Sequence, residues 1–548
     1  MGTRGNDQDR QGGISRRSFL YQMGAAGGAA AVLSSMEVLG LVPPAAADKL
    51  NYRAPSRGDF SLQGRGNATK VLVLGAGVAG LCAAYELGKA GYDVELLEAR
   101  QRPGGRNWTA RGGTTETSLD GVTQTCAFDD GQYMNVGPAR IPQHHTTLEY
   151  CRELGVPIEV FTNANAEGYY YNEPSATVGG ALAGTPVRHR KAKADTYGYV
   201  SELLAKAVNQ GSLDADLTGA DKEALIAFLR SFGALNSTNR YTGGSRTGYP
   251  ADDEPAAGLQ SGTPFAAAAM SDVLANRLGN YFSFELSWDQ AMLMYQPVGG
   301  MDRVPYAFES ALARKPTYGA AITDISNTAD GVTVTYTERG RTRTATGDLC
   351  ICTIPPQILK SIPNNFGAQV NADLAVPALN ATGKIGLQYK RRWWEEDQQL
   401  FGGITNTNMD LGTIWYPSYG YLGGKGVVVG YYNFGGNSDA YGALTPAERE
   451  ARALSQGAKI HGQVYIDEFE TSFSNDWRKT RYSEGGWISW PGGTQGGPDT
   501  PYGRLLEPAG NVYFAGDHLS HSIAWQHGAL ESARLTVTNL HDRVLAAD

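Results

Sequence analysis

Between Lys70 and Arg106 the spacing of apolar residues changes twice within one short stretch. Val71 to Leu74 is a continuous apolar run, the pattern of a strand buried on both faces of a parallel sheet. The period then lengthens, and Leu81, Ala84, Tyr85 and Leu87 fall on one face of a helix that stops near Gly91. Asp93 to Leu97 reads as a second strand and ends in Glu98. Together these elements predict a β-α-β unit. Further on, a helix-like segment ends near Leu154, and helical periodicity runs through 195–233 before a Gly/Ser/Pro-rich break around 242–263. Ile322–Ile325, Gly331–Tyr336 and Leu349–Ile354 alternate like the strands of a β-meander that closes on Pro355-Pro356. Strands are also expected around Gly383–Tyr389, Thr413–Tyr416 and Val427–Tyr432. Val512–Phe514 reads as a buried strand meeting Gly516 and Asp517, with a last helix from near Trp525, so the opening unit is completed by the far end of the chain.

The first strand runs straight into glycines. Gly75 permits a tight turn, Gly77 lets the backbone through Ala76, Val78 and Ala79 approach a pyrophosphate, and Gly80 allows close packing of the helix that starts here. The amide end of that helix favours an anion. Glu98 is placed to accept hydrogen bonds from a ribose diol and to repel a 2′-phosphate, which disfavours NADP. After Ala99, Arg100, Gly104, Gly105 and Arg106 add a second glycine pair and cations, as a longer dinucleotide would need; this favours FAD over NAD.

Charge narrows the partners. With 47 basic and 55 acidic residues and a net charge of −8, the chain is not suited to a polyanion, so nucleic acid is not expected. The five cysteines have no metal spacing and read as free and buried. Residues 1–47 carry Ser15-Arg16-Arg17-Ser18-Phe19-Leu20, a Gly/Ala-rich apolar run from Met23 to Val42, and Ala45-Ala46-Ala47 before Asp48. This resembles a twin-arginine signal peptide, implying the twin-arginine export machinery as a partner, a secreted or periplasmic location and no stable membrane anchor. Residues 48–66 read as a polar linker. The basic cluster Arg188-His189-Arg190-Lys191 and the acidic Asp252-Asp253-Glu254 read as solvated loop charges.

Taken together, Gly75 to Arg106, the return Gln296-Pro297-Val298-Gly299-Gly300-Met301-Asp302-Arg303, the strand ending in Cys352-Thr353-Ile354-Pro355-Pro356 and Tyr513-Phe514-Ala515-Gly516-Asp517 resemble the flavin-containing amine oxidases, and within them the L-amino-acid oxidases. The resemblance is weakest over about 165–295. It implies a mixed α/β (α+β) fold: an FAD-binding Rossmann-like domain with a β-meander (67–125, 298–375 and 478–548), a β-sheet substrate-binding domain (126–164 and 376–477) and a helical insertion (165–297). Family members often pair, so a homodimer is one expectation.

The resemblance also implies roles for single residues. Ile322 matches the position whose backbone holds the adenine, and Asp517 the acid near the ribityl or pyrophosphate portion. Gly486 stands where monoamine oxidases carry a flavin-linking cysteine, so FAD should be noncovalent. Arg140 matches the arginine that takes a substrate carboxylate, with Ala139 before it, and its planar fork suits that anion. Tyr431 matches the tyrosine that adds a hydroxyl to the same carboxylate. Trp487 and Trp525 match the rings that flank the substrate amine, and Ala524 leaves room for a backbone carbonyl to accept from it. Lys384 matches the lysine that approaches flavin N5 through a water, and a lysine within an apolar strand is costly to bury without a role.

The expected reaction is oxidation of an L-α-amino acid by O2 to a 2-oxo acid, ammonia and hydrogen peroxide, with the neutral amine as the reacting species. Oxidation of amines lacking a carboxylate, an aromatic amino-acid 2-monooxygenase and a flavoprotein that binds without turnover are the alternatives. Trp415, Tyr416 and Trp490 mildly favour hydrophobic or aromatic substrates.

Overall fold

The computed structural model describes residues 60–63, 69–491 and 496–547. The twin-arginine segment lies outside the described residues, as does the linker apart from 60–63. Lys70–Leu74, fully buried from Val71 onward, takes the centre of a five-stranded parallel sheet, where a strand apolar on both sides meets a core on each. Across the sheet the order is Thr317–Tyr318, Asp93–Glu98, Lys70–Leu74, Leu349–Cys352 and Val512–Phe514. One face is covered by the helices Val78–Lys89 and Gln526–Ala547, whose Leu81, Leu87, Leu530 and Val537 share a core with Val71 and Val73.

Leu72 and Leu74 point the other way, into a core shared with the meander Ala321–Thr328, Gly331–Glu338 and Arg341–Gly347. Here the expected third strand is corrected. Arg341–Gly347 is largely exposed and carries alternating Arg and Thr, with no apolar period to reveal it. Leu349–Cys352 is buried at every position and joins the parallel sheet instead, in register with Val71 to Leu74.

A second sheet has seven strands in the order Phe469–Asp476, Thr382–Tyr389, Gly426–Phe434, Thr413–Trp415, Ile404–Thr407, Tyr169–Tyr171 and Val187–Arg188. Its pairs are antiparallel except Ile404–Thr407 with Tyr169–Tyr171. The expected helices around 195–233 are His189–Asn209 and Gly219–Phe232, and Thr218 starts the second with a capping box to Asp221. The segment expected to be mainly helical also gives two strands to this sheet, and its last strand, Leu293–Pro297, pairs with Ile158–Thr162.

The basic cluster is not a solvated loop. His189 is buried and stacks on Tyr170 at 3.8 Å, Arg188 donates to the Gln398 carbonyl at 3.0 Å, Arg190 pairs with Glu167, and Lys191 with Asp195. It anchors the start of a helix. All five cysteines are free and buried. Among the described residues no helix is long and apolar enough to cross a membrane.

Candidate active site

A single cavity runs from the glycine turn after Leu74 to one face of the seven-stranded sheet, and residues expected from both halves of the reading line it. On the nucleotide side these are Gly75, Gly77, Val78, Ala79, Glu98, Ala99, Arg100, Gly104, Gly105, Arg106, Ile322, Gly516 and Asp517. On the substrate side they are Lys384, Trp487, Ala524 and Trp525. Ala76 and Gly80 stand behind the wall: the Ala76 N–H donates to Glu98 Oε2 at 2.7 Å, and a Cβ on Gly80 would fall 1.9 Å from the Gly75 carbonyl oxygen. Gly77 is the opposite case. A Cβ there would meet nothing within 4 Å, because that space belongs to the cavity.

The turn fits a dinucleotide. The helix Val78–Lys89 begins with no side-chain cap and no acid in its first turn, leaving its amide end available to an anion. Glu98 Oε1 accepts the Arg100 N–H at 2.8 Å, so both carboxylate oxygens are aimed by backbone, and each keeps a lone pair for a diol. Burial lowers the Arg100 pKa, and its guanidinium donates to the Arg481 carbonyl at 2.6 Å and to Ser483 Oγ at 2.7 Å. Arg106 donates to the Gly486 carbonyl at 2.8 Å and pairs with Asp517. Burial alone would push the Asp517 carboxyl up, but the Arg106 charge beside it holds it below its ordinary value. Asp517 Oδ2 also accepts from the Ala524 N–H at 3.0 Å, holding Ala524 at φ +69°, a left-handed conformation uncommon for a residue with a side chain. Gly486 lines the cavity and has no side chain to form a covalent link; a Cβ would lie 2.4 Å from Thr382 Cγ2.

Two cations meet at the other end. Lys384 is 2% exposed and donates to the carbonyls of Asn135, at 3.1 Å, and Gly137. Its nitrogen sits 4.5 Å from the centre of the Tyr432 ring. Arg140 and Ala139 do not line the cavity themselves; the Arg140 guanidinium stands behind its wall, 5.9 Å from the ring of the lining residue Trp525, 4.5 Å from Trp415 and 5.6 Å from Phe284. Nη2 donates to Gln290 Oε1 at 3.0 Å, whereas Nε and Nη1 are buried without a hydrogen-bond partner. Neither cation has an acidic partner among the described residues. Burial pulls the Arg140 pKa down to about 10; burial, reinforced by the Arg140 charge, pulls that of Lys384 down to about 7.

The expected tyrosine, Tyr431, does not line the cavity, and its neighbour Tyr432 does. Across the strand pair, Lys384 lies opposite Tyr432 and Ile385 opposite Tyr431, and side chains of directly opposed residues share a face. Tyr432 therefore faces the cavity with Lys384, while Tyr431 is buried in the core behind the sheet against Tyr441, ring centres 4.5 Å apart. Only the cross-strand register that sets Tyr432 opposite Lys384 brings it to the cavity, and alternation within one strand does not carry that register. Gln290 was also missed, and nothing in its aperiodic segment marks it. Of the three extra aromatics, Trp415 borders Arg140, but Tyr416 and Trp490 pack in separate cores.

A dinucleotide turn on a parallel sheet, joined by one cavity to a cation-bearing aromatic end, defines a nucleotide-dependent oxidoreductase. Residues 78–541 match the flavin containing amine oxidoreductase family, and the chain belongs to it; FAD is its cofactor. YobN of Bacillus subtilis (strain 168), named as a candidate L-amino-acid oxidase, is 28% identical over 480 residues, covering 84% of this chain and 92% of its own. An L-amino acid oxidase of Bothrops pictus is 26% identical over 499 residues, 87% of this chain and 90% of that one. Among solved structures, cyclohexylamine oxidase from Brevibacterium oxydans IH-35A superposes with a TM-score of 0.57 at 17% identity, covering 87% of this chain and 100% of that chain. Wild-type putrescine oxidase bound to putrescine gives 0.55 at 19%, covering 88% and 99%. At such identities the likeness establishes the fold.

Proposed function

We propose that this protein oxidises L-α-amino acids to 2-oxo acids, with water consumed, ammonia released and O2 reduced to hydrogen peroxide. Arg140 carries the reading. A buried guanidinium with two unpaired nitrogens and no acid beside it is costly to maintain unless a ligand supplies the anion, and an amino-acid carboxylate is that anion. Arg140 and the Tyr432 hydroxyl then form a two-point carboxylate anchor. Trp487 and Trp525 flank the amine and exclude water, and the Ala524 carbonyl orients it. Lys384, neutral above about pH 7, holds a water or accepts a proton next to the reacting carbon. Bound noncovalently by the cavity, FAD supplies the two-electron acceptor. Gly77 and the helix amide end hold its pyrophosphate, Glu98 its ribose, and Ile322 its adenine. The reading extends to twin-arginine export through residues 1–47.

The test compares peroxide release from L-amino acids with that from their decarboxylated amines, in wild type and Arg140→Ala. Losing a charge-assisted hydrogen bond of about 2–3 kcal/mol should raise KM for the amino acid roughly 30- to 150-fold. An unchanged KM, or equal turnover of the amine by the wild type, overturns the assignment.

A further inference from the structure

Beyond the cavity wall, His144, His145 and Asp289 bring three ligand atoms within 4.8 Å of one another. His145 Nε2 lies 2.7 Å from Asp289 Oδ1, and His144 Nε2 lies 3.5 Å from the same oxygen. The longer approach lacks hydrogen-bond geometry, so the buried His144 nitrogen has no hydrogen-bond partner. The two rings stand edge to face, 89° apart with centres at 4.8 Å, and their nitrogens converge on one carboxylate. A structural hydrogen bond accounts for His145 and Asp289; it leaves His144 unexplained.

We propose that these three side chains form a binding site for a divalent transition metal of the zinc class. Two imidazoles and a carboxylate are a donor set for Zn²⁺ and its neighbours, whereas Mg²⁺ and Ca²⁺ prefer oxygen ligands throughout. Ligands about 2.0–2.2 Å from a tetrahedral Zn²⁺ stand roughly 3.3–3.5 Å apart. The approach from His144, at 3.5 Å, already has that spacing, and the one from His145, at 2.7 Å, needs to open by roughly 0.6–0.8 Å. The frame can hold still while it does. His145 is stacked on His527 at 4.5 Å and set against the Trp525 edge at 5.2 Å, and His144 is braced by Trp288 at 4.5 Å. The side chains of His144 and Asp289 are 21% and 26% exposed, giving the ion an entry and a position for water as fourth ligand.

The site touches the substrate end through two neighbours. Asp289 precedes Gln290, which holds Arg140, and His145 packs on Trp525. The inference itself rests on the ligand geometry and is independent of the amino-acid reading.

The experiment titrates Zn²⁺ into untagged, flavin-loaded protein by calorimetry and counts bound zinc by elemental analysis after gel filtration. One Zn²⁺ per chain is expected. His144→Ala, which removes no hydrogen bond, and Asp289→Asn, which keeps the side-chain shape, should each weaken binding by more than the roughly 10- to 100-fold that loss of an outer-shell partner costs. Flavin absorbance and melting temperature identify the folded variant to be compared. Absence of stoichiometric zinc in the wild type, or wild-type affinity in a folded variant, overturns the proposal.

Discussion

Both burial and the adjacent Arg140 charge act against the protonated form of Lys384, so its pKa drops from 10.5 to about 7. Between the folded and unfolded values the unfolded chain binds the extra proton, so the contribution to stability is complete above about pH 10.5 and is lost as pH falls through about 7. Replacing Lys384 with Met should flatten the rise of the denaturation midpoint with pH across that window. It should also remove a limb near pH 7 from the pH profile of kcat/KM, measured by peroxide release, while the limb set by the substrate ammonium at higher pH persists. Residues such as Lys384 are legible because a charge inside an apolar strand contradicts its surroundings. Gln290 offers no such contradiction, and His144 and His145 acquire their meaning only when Asp289 is brought to them from a distant segment.

Within elements, parity decides which side chain does chemistry. Tyr431 and Tyr432 are consecutive in Gly426–Phe434 and therefore face opposite sides of the sheet. Tyr432→Phe should raise KM for amino acids roughly 10- to 150-fold, since a hydrogen bond to a charged carboxylate contributes about 1.5–3 kcal/mol, with little change in melting temperature. Tyr431→Phe should leave KM alone and lower stability by about 1 kcal/mol, because its hydroxyl is buried in the core beside Ser474. The reverse pattern in steady-state kinetics and thermal denaturation would return the role to Tyr431. A shift in register follows immediately: Ile385 pairs with Tyr431 and Gly386 with Val429, leaving Gly430 unpaired as a bulge. Period-two reading found this strand but had no means of phasing it. For the polar strand Arg341–Gly347 it failed altogether, because its place comes from pairing with Gly331–Glu338 and not from an apolar face.

At the scale of the molecule, the proposed FAD site gathers residues from near 75, 98, 322, 486 and 517 into one cavity. A ligand that binds only the folded chain stabilises it by mass action, about 2.7 kcal/mol at 100 times Kd. Protein stripped of FAD should thus melt at a lower temperature and regain stability in proportion to the logarithm of added FAD in a dye-free calorimetric scan. A melting temperature indifferent to FAD would mean that the cavity is complete without it. The Rossmann half of this arrangement was legible because strand, glycine turn, helix and acid are contiguous in the chain.

The parallel sheet has a further consequence, for the order of events during synthesis. Val512–Phe514 is hydrogen-bonded to Leu349–Cys352, which is hydrogen-bonded to Lys70–Leu74. At about 5–20 residues per second, the ribosome takes roughly 20–90 seconds to travel from the first of these strands to the last. Throughout that interval the nascent β-α-β unit presents an open sheet edge and a flavin cradle lacking Asp517. Completion of the cradle is accordingly a late event in synthesis, and until Val512–Phe514 pairs with Leu349–Cys352 the open sheet edge is the part of the chain that chaperones have most reason to cover.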